Sequence, residues 1–220
     1  MKFITRFALL IALLCMALPI FAQDDTTSTE PTPEITPEAT FEVSDIIERD
    51  LPTKNPDVLM NQDIVLFDGT LAMTIPSNWV FEEDIFNASI ATSEEAFELM
   101  DDAIEGLDES EMVIQFVPPA TTRELPIENI SPLGVVEYVA IGAIFEDLVV
   151  YTYPDFANEL YYLTFTGEDI PEGAFFMMMQ LGDTRELLLF AGVVKDFDAQ
   201  EALIFKIIET IVYTPPTKEE

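Results

Sequence analysis

The sequence predicts an α+β fold, with an antiparallel β-sheet and about three helices packed on it. Short segments of alternating apolar and polar residues, bounded by turn-forming residues, are typical of strands. Other segments place apolar residues at helical spacing behind capping residues. Along the chain these segments form a hairpin, a helix, a strand, a helix, a run of four strands and a last helix. This order favours one antiparallel sheet covered by helices.

The first strands are predicted to form a hairpin. Asp68 and Gly69 separate two apolar segments between residues 64 and 75. An Asp-Gly pair favours the turn whose twist matches that of paired strands. Residues 84–90 suit a third strand.

Two helices flank the next predicted strand. Residues 92–95 read Thr-Ser-Glu-Glu, a capping box ahead of apolar residues at helical spacing, and Gly106 ends that helix. Residues 111–117 form a strand that two prolines stop. Ser131 and Pro132 begin the second helix, because proline in the first turn loses no hydrogen bond.

The second half of the chain is predicted as a meander followed by the third helix. The four strands are residues 148–153, 160–166, 174–181 and 185–194. Residues 175–179 are apolar at every position, so we expect both faces of that strand to be covered. Asp198 to Glu201 cap a last helix whose apolar residues extend to Ile211.

Two segments carry a resemblance to a known family. The segment FDGTLAMTIPSNW, residues 67–79, resembles the entry of PsbP/Mog1-like domains, and residues 175–214 are similar to their closing hairpin and final helix. The resemblance covers about residues 62–214. It implies a module of the kind found tethered in secreted bacterial proteins. It also implies an assembly or binding role, since the family shares no catalytic residues.

The ends of the chain predict export and a tether. Residues 1–22 place two cations before about 15 apolar residues and a small residue, the order of a signal peptide. That run is shorter than the roughly 20 residues needed to span a bilayer, so we expect no transmembrane segment after cleavage. Residues 23–56 are an acidic tether rich in Thr, Pro and Glu, residues 57–214 a single domain, and residues 215–220 a tail.

Composition excludes several classes of function. The 220 residues hold 9 Lys+Arg against 42 Asp+Glu, a formal net charge of -33. Nucleic-acid binding needs clustered cations, so this partner is excluded. The chain has no His, and its one Cys lies in the leader, which removes histidine and cysteine catalysis and the usual zinc ligands. We therefore predict no catalytic residues, no cofactor and no metal site.

Two alternatives remain open because carboxylates are abundant. Residues 101–111 are the densest acidic stretch and suggest a calcium-dependent structural or adhesive domain, although a helix ending at Gly106 explains the same residues. A pair of acids in one cleft would suggest a carboxylate-dependent hydrolase. Weak cation binding by the acidic surface is expected in either case.

The candidate ligand or partner surface consists of aromatic residues. Trp79, the only tryptophan, follows a predicted strand and is either a stacking platform or half-buried core. Tyr151, Tyr153 and either Tyr161 or Tyr162 alternate on neighbouring strands, so they share a face that is either exposed or packed under a helix. The predicted surface consists of Trp79, Tyr151, Tyr153 and Tyr161.

These observations together predict an exported, non-catalytic binding or accessory module of the bacterial cell envelope or extracellular space. Its partner is an unknown protein or small ligand. The acidic surface keeps such a protein soluble, and it repels nucleic acid and anionic lipid.

Overall fold

The computed structural model describes residues 46–53, 56–84, 87–97, 108, 110–122, 131–136, 147–166, 173–182 and 186–216. Its eleven strands form two sheets, and the predicted α+β class is confirmed. The strands are β1 (Ile46–Glu48), β2 (Met60–Leu66), β3 (Leu71–Pro76), β4 (Val80–Glu83), β5 (Ala88–Ala91), β6 (Met112–Val117), β7 (Asp147–Thr152), β8 (Leu160–Thr166), β9 (Ala174–Gln180), β10 (Leu187–Val194) and β11 (Val212–Tyr213). The helices are α1 (Pro119–Thr122) and α2 (Phe197–Ile208), with helical turns at 94–97 and 132–136.

The large sheet has eight strands in the order β1-β7-β8-β9-β10-β6-β5-β4, and the small sheet has three in the order β11-β3-β2. Every pair is antiparallel except β1 with β7, which is parallel. The β2–β3 hairpin turns as predicted, because Asp68 and Gly69 both take positive φ, 53° and 88°. The Thr70 N–H donates to the Phe67 carbonyl at 3.1 Å and closes the turn.

Two apolar cores lie on opposite faces of the large sheet. One is shared with the small sheet and with α2, through buried residues such as Ile75 of β3 and Ile204 of α2. The other includes Val135 in the helical turn at 132–136. Between them, Ala174 to Met179 of β9 are all buried, which confirms that this strand is covered on both faces.

Several boundaries differ from the sequence predictions. The expected third strand at 84–90 is instead a hairpin of β4 and β5, since the Asp84 carboxylate accepts the Asn87 N–H at 3.0 Å and turns the chain. Helix α2 is capped by Asp196, which accepts the Ala199 N–H at 3.1 Å, so Asp198 lies in the first turn. Ile211 follows the helix and leads into β11.

The large sheet also includes residues upstream of Asp57. Ile46 to Glu48, in the segment that the sequence assigned to the tether, pair with Val150 to Thr152 of β7. The Arg49 N–H then donates to the Thr152 carbonyl at 2.9 Å. Residues 1–45, which include the predicted signal peptide, lie outside the described residues.

Candidate ligand-binding cleft

A row of planar side chains crosses the large sheet on the side that α2 covers. We call Arg49, Tyr151, Tyr162 and Phe197 the stacked row. Tyr151 of β7 pairs directly with Tyr162 of β8, and Arg49 comes directly after β1, the next strand outward. Phe197 is the first residue of α2. The row therefore depends on the register of three strands and on the position where the last helix begins.

The members of the stacked row are in contact. The Tyr162 and Phe197 rings are 4.0 Å apart between centroids and 11° from parallel. The Tyr151 and Tyr162 rings are 5.4 Å apart at 23°, and the Arg49 guanidinium lies 5.2 Å from the Tyr151 ring centre. Phe175 supports the row from β9, with its ring 5.3 Å from that of Phe197. Such offset ring pairs each add about 0.5–1.5 kcal/mol beyond the burial of their area.

A cleft of about 520 Å³ opens beside the stacked row. The cleft is lined by the stacked row, by one residue of β8 and by the residues around the start of α2. These lining residues are Arg49, Tyr151, Tyr162, Thr164, Lys195, Asp196, Phe197 and Asp198. This volume falls within the range of about 300–1,000 Å³ that is usual for small-molecule sites. In a chain with only 9 Lys+Arg, two cations line this one cleft.

Arg49 is held in place by α2. Its Nη2 donates to Asp198 Oδ1 at 2.9 Å and lies 3.5 Å from Glu201 Oε1. The same Glu201 oxygen accepts the hydroxyl of Tyr153 at 2.7 Å. Burial by itself lowers the pKa of Arg49, but the hydrogen bond to Asp198 and the nearby Glu201 outweigh it and raise the pKa above its ordinary value. Arg49 is therefore a permanent cation, fixed at one end of the stacked row.

Several donors in the cleft have no partner within the described residues. Tyr162 is only 3% exposed, yet its hydroxyl has no hydrogen bond there. Both ion pairs of Arg49 use Nη2, which leaves Nε and Nη1 without a described acceptor. Lys195 is exposed and makes no ion pair in the described part of the chain. Burial raises the pKa of Tyr162, so its hydroxyl keeps its proton and remains a donor.

The structure separates the four residues of the predicted surface. Tyr151 is half-buried and lines the cleft. Trp79 is 5% exposed and Tyr153 2% exposed, and both belong to the core shared with α2, so neither lies on a surface. Tyr161 is 9% exposed in the opposite core, because its neighbour Tyr162 is the residue that pairs with Tyr151. The shared aromatic face is thus formed by Tyr151, Tyr153 and Tyr162, largely under α2.

Several members of the cleft, including Arg49, Lys195 and Phe197, were not expected from the sequence. Arg49 belongs to a segment with the composition of a tether, and its position follows from the parallel pairing of β1. Lys195 and Phe197 lie at the junction of β10 and α2, where the expected cap was two residues too late. An Asp directly after a cation, in front of a helical apolar pattern, is the local signal for that junction.

The acidic alternatives find little in the described residues. No group of three or more carboxylates there could hold a metal ion, and residues 101–107 and 109 of the calcium candidate lie outside the description. Asp198 and Glu201, two acids of the cleft region, both contact Arg49. No described helix is long and apolar enough to cross a membrane.

Comparison with known proteins yields no family assignment. No protein-family model matches the chain, and no curated protein sequence matches it. Among solved structures, it is similar to the Saccharomyces cerevisiae Ran-binding protein Mog1p, with 9% sequence identity and a TM-score of 0.41 over 70% of this chain and 96% of that chain. The PsbP/Mog1-like resemblance suggested by the sequence is thus found again, weakly, between the structures. At this level it carries no information about ligands or partners.

Proposed function

We propose that this protein is an exported, non-catalytic binding module of a bacterial cell envelope or of the extracellular space, and that the cleft beside the stacked row binds its ligand. The observation that carries the proposal is the Tyr162 hydroxyl, which lines the cleft and has no hydrogen-bond partner in the described residues although the residue is only 3% exposed. A bound acceptor would give this hydroxyl a hydrogen bond worth about 0.5–1.5 kcal/mol.

The roles of the charged groups support binding rather than catalysis. Asp196 caps α2 and Asp198 pairs with Arg49, so both carboxylates of the lining already hold structure. General acid–base chemistry needs a group that is free to exchange a proton during the reaction. The chain offers no histidine for that task.

Export is supported by the two N-terminal segments. The charge, apolar run and small residue of positions 1–22 fit a signal peptide, and the Thr/Pro/Glu composition of residues 23–45 fits an extended spacer. A spacer of this kind would let a folded module sample the space around an anchoring point or a partner.

Saturation-transfer NMR with a defined panel tests the binding role. The panel contains glucose, glucuronate, propionate, propionamide, N-acetylalanine and N-acetylalaninamide, each at millimolar concentration. Thr164→Trp places a large ring in the cleft, and Thr214→Trp adds the same ring at an exposed site after β11. We expect at least one compound to bind the parent protein and Thr214→Trp but not Thr164→Trp. Equal signals for the two variants, or none from any compound, would contradict the proposal.

A further inference from the structure

We propose that the cleft recognises the carboxylate of a small organic anion, through Arg49, Lys195 and the Tyr162 hydroxyl. This inference rests on the proposed function and names the class of ligand. The carboxylate can come from an acidic sugar or from the C-terminus of a short peptide, since both present the same planar pair of oxygens.

The lining offers several donors. Arg49 keeps the N–H groups of Nε and Nη1, Lys195 keeps its ammonium, and Tyr162 keeps its hydroxyl, all without partners among the described residues. A guanidinium presents its N–H groups in one plane, which matches the two oxygens of a carboxylate. A ligand with a carboxylate would therefore give these donors acceptors.

The acids of the lining are already engaged. Asp196 Oδ1 accepts the Ala199 N–H at 3.1 Å, and Asp198 Oδ1 accepts from Arg49 at 2.9 Å. Withdrawing either Oδ1 atom for a ligand would uncap α2 or release Arg49, so only the Oδ2 atoms of these two carboxylates stay available as acceptors. Loss of an Asp cap costs a helix about 0.5–2 kcal/mol.

The ring faces leave little room for a neutral stacking ligand. Tyr162 lies between Phe197, 4.0 Å away, and Tyr151, 5.4 Å away. The Arg49 guanidinium in turn lies 5.2 Å from the Tyr151 ring centre. Hydroxyl groups and ring edges therefore contribute more to recognition in this cleft than open aromatic faces do.

Charge favours a single negative charge over two. The cleft is lined by two cations and two carboxylates, with Glu201 a further 3.5 Å from Arg49, on a chain whose formal net charge is -33. That background repels any anion, and it repels a phosphate dianion more than a monoanion, over a Debye length of about 8 Å at physiological salt. A carboxylate thus fits the local donors at the lower electrostatic cost.

Matched pairs of an acid and its amide test the inference by calorimetric or NMR titration. Propionate and propionamide have nearly the same shape and differ in charge. We expect propionate to bind at least about tenfold more tightly than propionamide, as a charge-assisted hydrogen bond would provide. Two further comparisons of affinity identify the source of the carboxylate. Tighter binding of glucuronate than of glucose indicates an acidic sugar, and tighter binding of N-acetylalanine than of N-acetylalaninamide indicates a peptide C-terminus.

Two lysine variants locate the recognition. Lys195→Gln should weaken propionate binding about fivefold or more, whereas Lys206→Gln, which removes one cation from the last turn of α2, should leave it unchanged. Equal affinity for acid and amide, or equal effects of the two lysine variants, would overturn the carboxylate assignment. If only neutral compounds bind, and Thr164→Trp abolishes their binding, the binding role stands but the carboxylate assignment is wrong. If no compound binds, both the binding role and the carboxylate assignment are wrong.

Discussion

Replacing Tyr153 with phenylalanine removes one hydroxyl from the junction of β7, α2 and Arg49. That hydroxyl donates to Glu201 Oε1 at 2.7 Å, Tyr153 is 2% exposed and Glu201 is 9% exposed. A buried hydrogen bond to a charged group contributes about 1.5–3 kcal/mol. After the substitution, the Glu201 carboxylate keeps only Arg49, at 3.5 Å, among its described partners.

We therefore expect Tyr153→Phe to lower the free energy of unfolding by about 2 kcal/mol, because a buried carboxylate loses its closest donor. For a domain of this size, that change lowers Tm by about 4–8 °C. Urea unfolding can be followed by the fluorescence of Trp79, which is the only tryptophan and is 5% exposed in the folded protein.

Tyr151→Phe is the matched control for this measurement. Tyr151 is half-buried, and its hydroxyl has no described partner, so its removal should change the free energy of unfolding by no more than about 0.5 kcal/mol. If Tyr153→Phe and Tyr151→Phe cost the same, the hydrogen bond to Glu201 does not hold α2 on the sheet, and the reasoning fails.

Three further predictions concern pH, packing and export. Burial raises the pKa of Tyr153 and Tyr162, so the folded state keeps two protons that the unfolded chain loses above about pH 10. These two tyrosines should add no pH dependence below that pH and should lower the free energy of unfolding by about 1.4 kcal/mol per pH unit each above it, which urea unfolding across that pH would measure. Gly192→Ala should cost about 1–3 kcal/mol in urea unfolding, because its new methyl group would meet the Phe175 ring at 2.4 Å; an unchanged midpoint would contradict this packing. Mass spectrometry of protein exported by a bacterial host should find Gln23 as the first residue, and a retained leader would contradict the signal peptide.

The elements that the sequence predicted well are those whose signals are local. The turn at Asp68 and Gly69 is set by the backbone freedom of two adjacent residues, and the structure has the expected positive φ values there. Strand β8 spans Leu160–Thr166 as predicted, and the apolar run of β9 is buried on both faces. Alternation and turn chemistry act over a few residues, so they can be read without knowledge of the tertiary fold.

The cleft was less predictable because its geometry is set by contacts between distant segments. Arg49 reaches the stacked row only because β1 pairs in parallel with β7, about a hundred residues later in the chain. Alternation alone left Tyr161 and Tyr162 equivalent, and the register between β7 and β8 decided for Tyr162. The residue type of Trp79 was compatible with either a surface or a core position. Its burial in the core follows from the packing of the small sheet against the large one.

NMR shift mapping with propionate shows directly whether the cleft beside the stacked row is the ligand site. On titration, the largest backbone and side-chain shifts should fall on Arg49, Tyr151 and Tyr162 and on residues 195–198. Shifts centred on the opposite core around Tyr161, or on the exposed Val212 of the small sheet, would place the ligand elsewhere and contradict the claim.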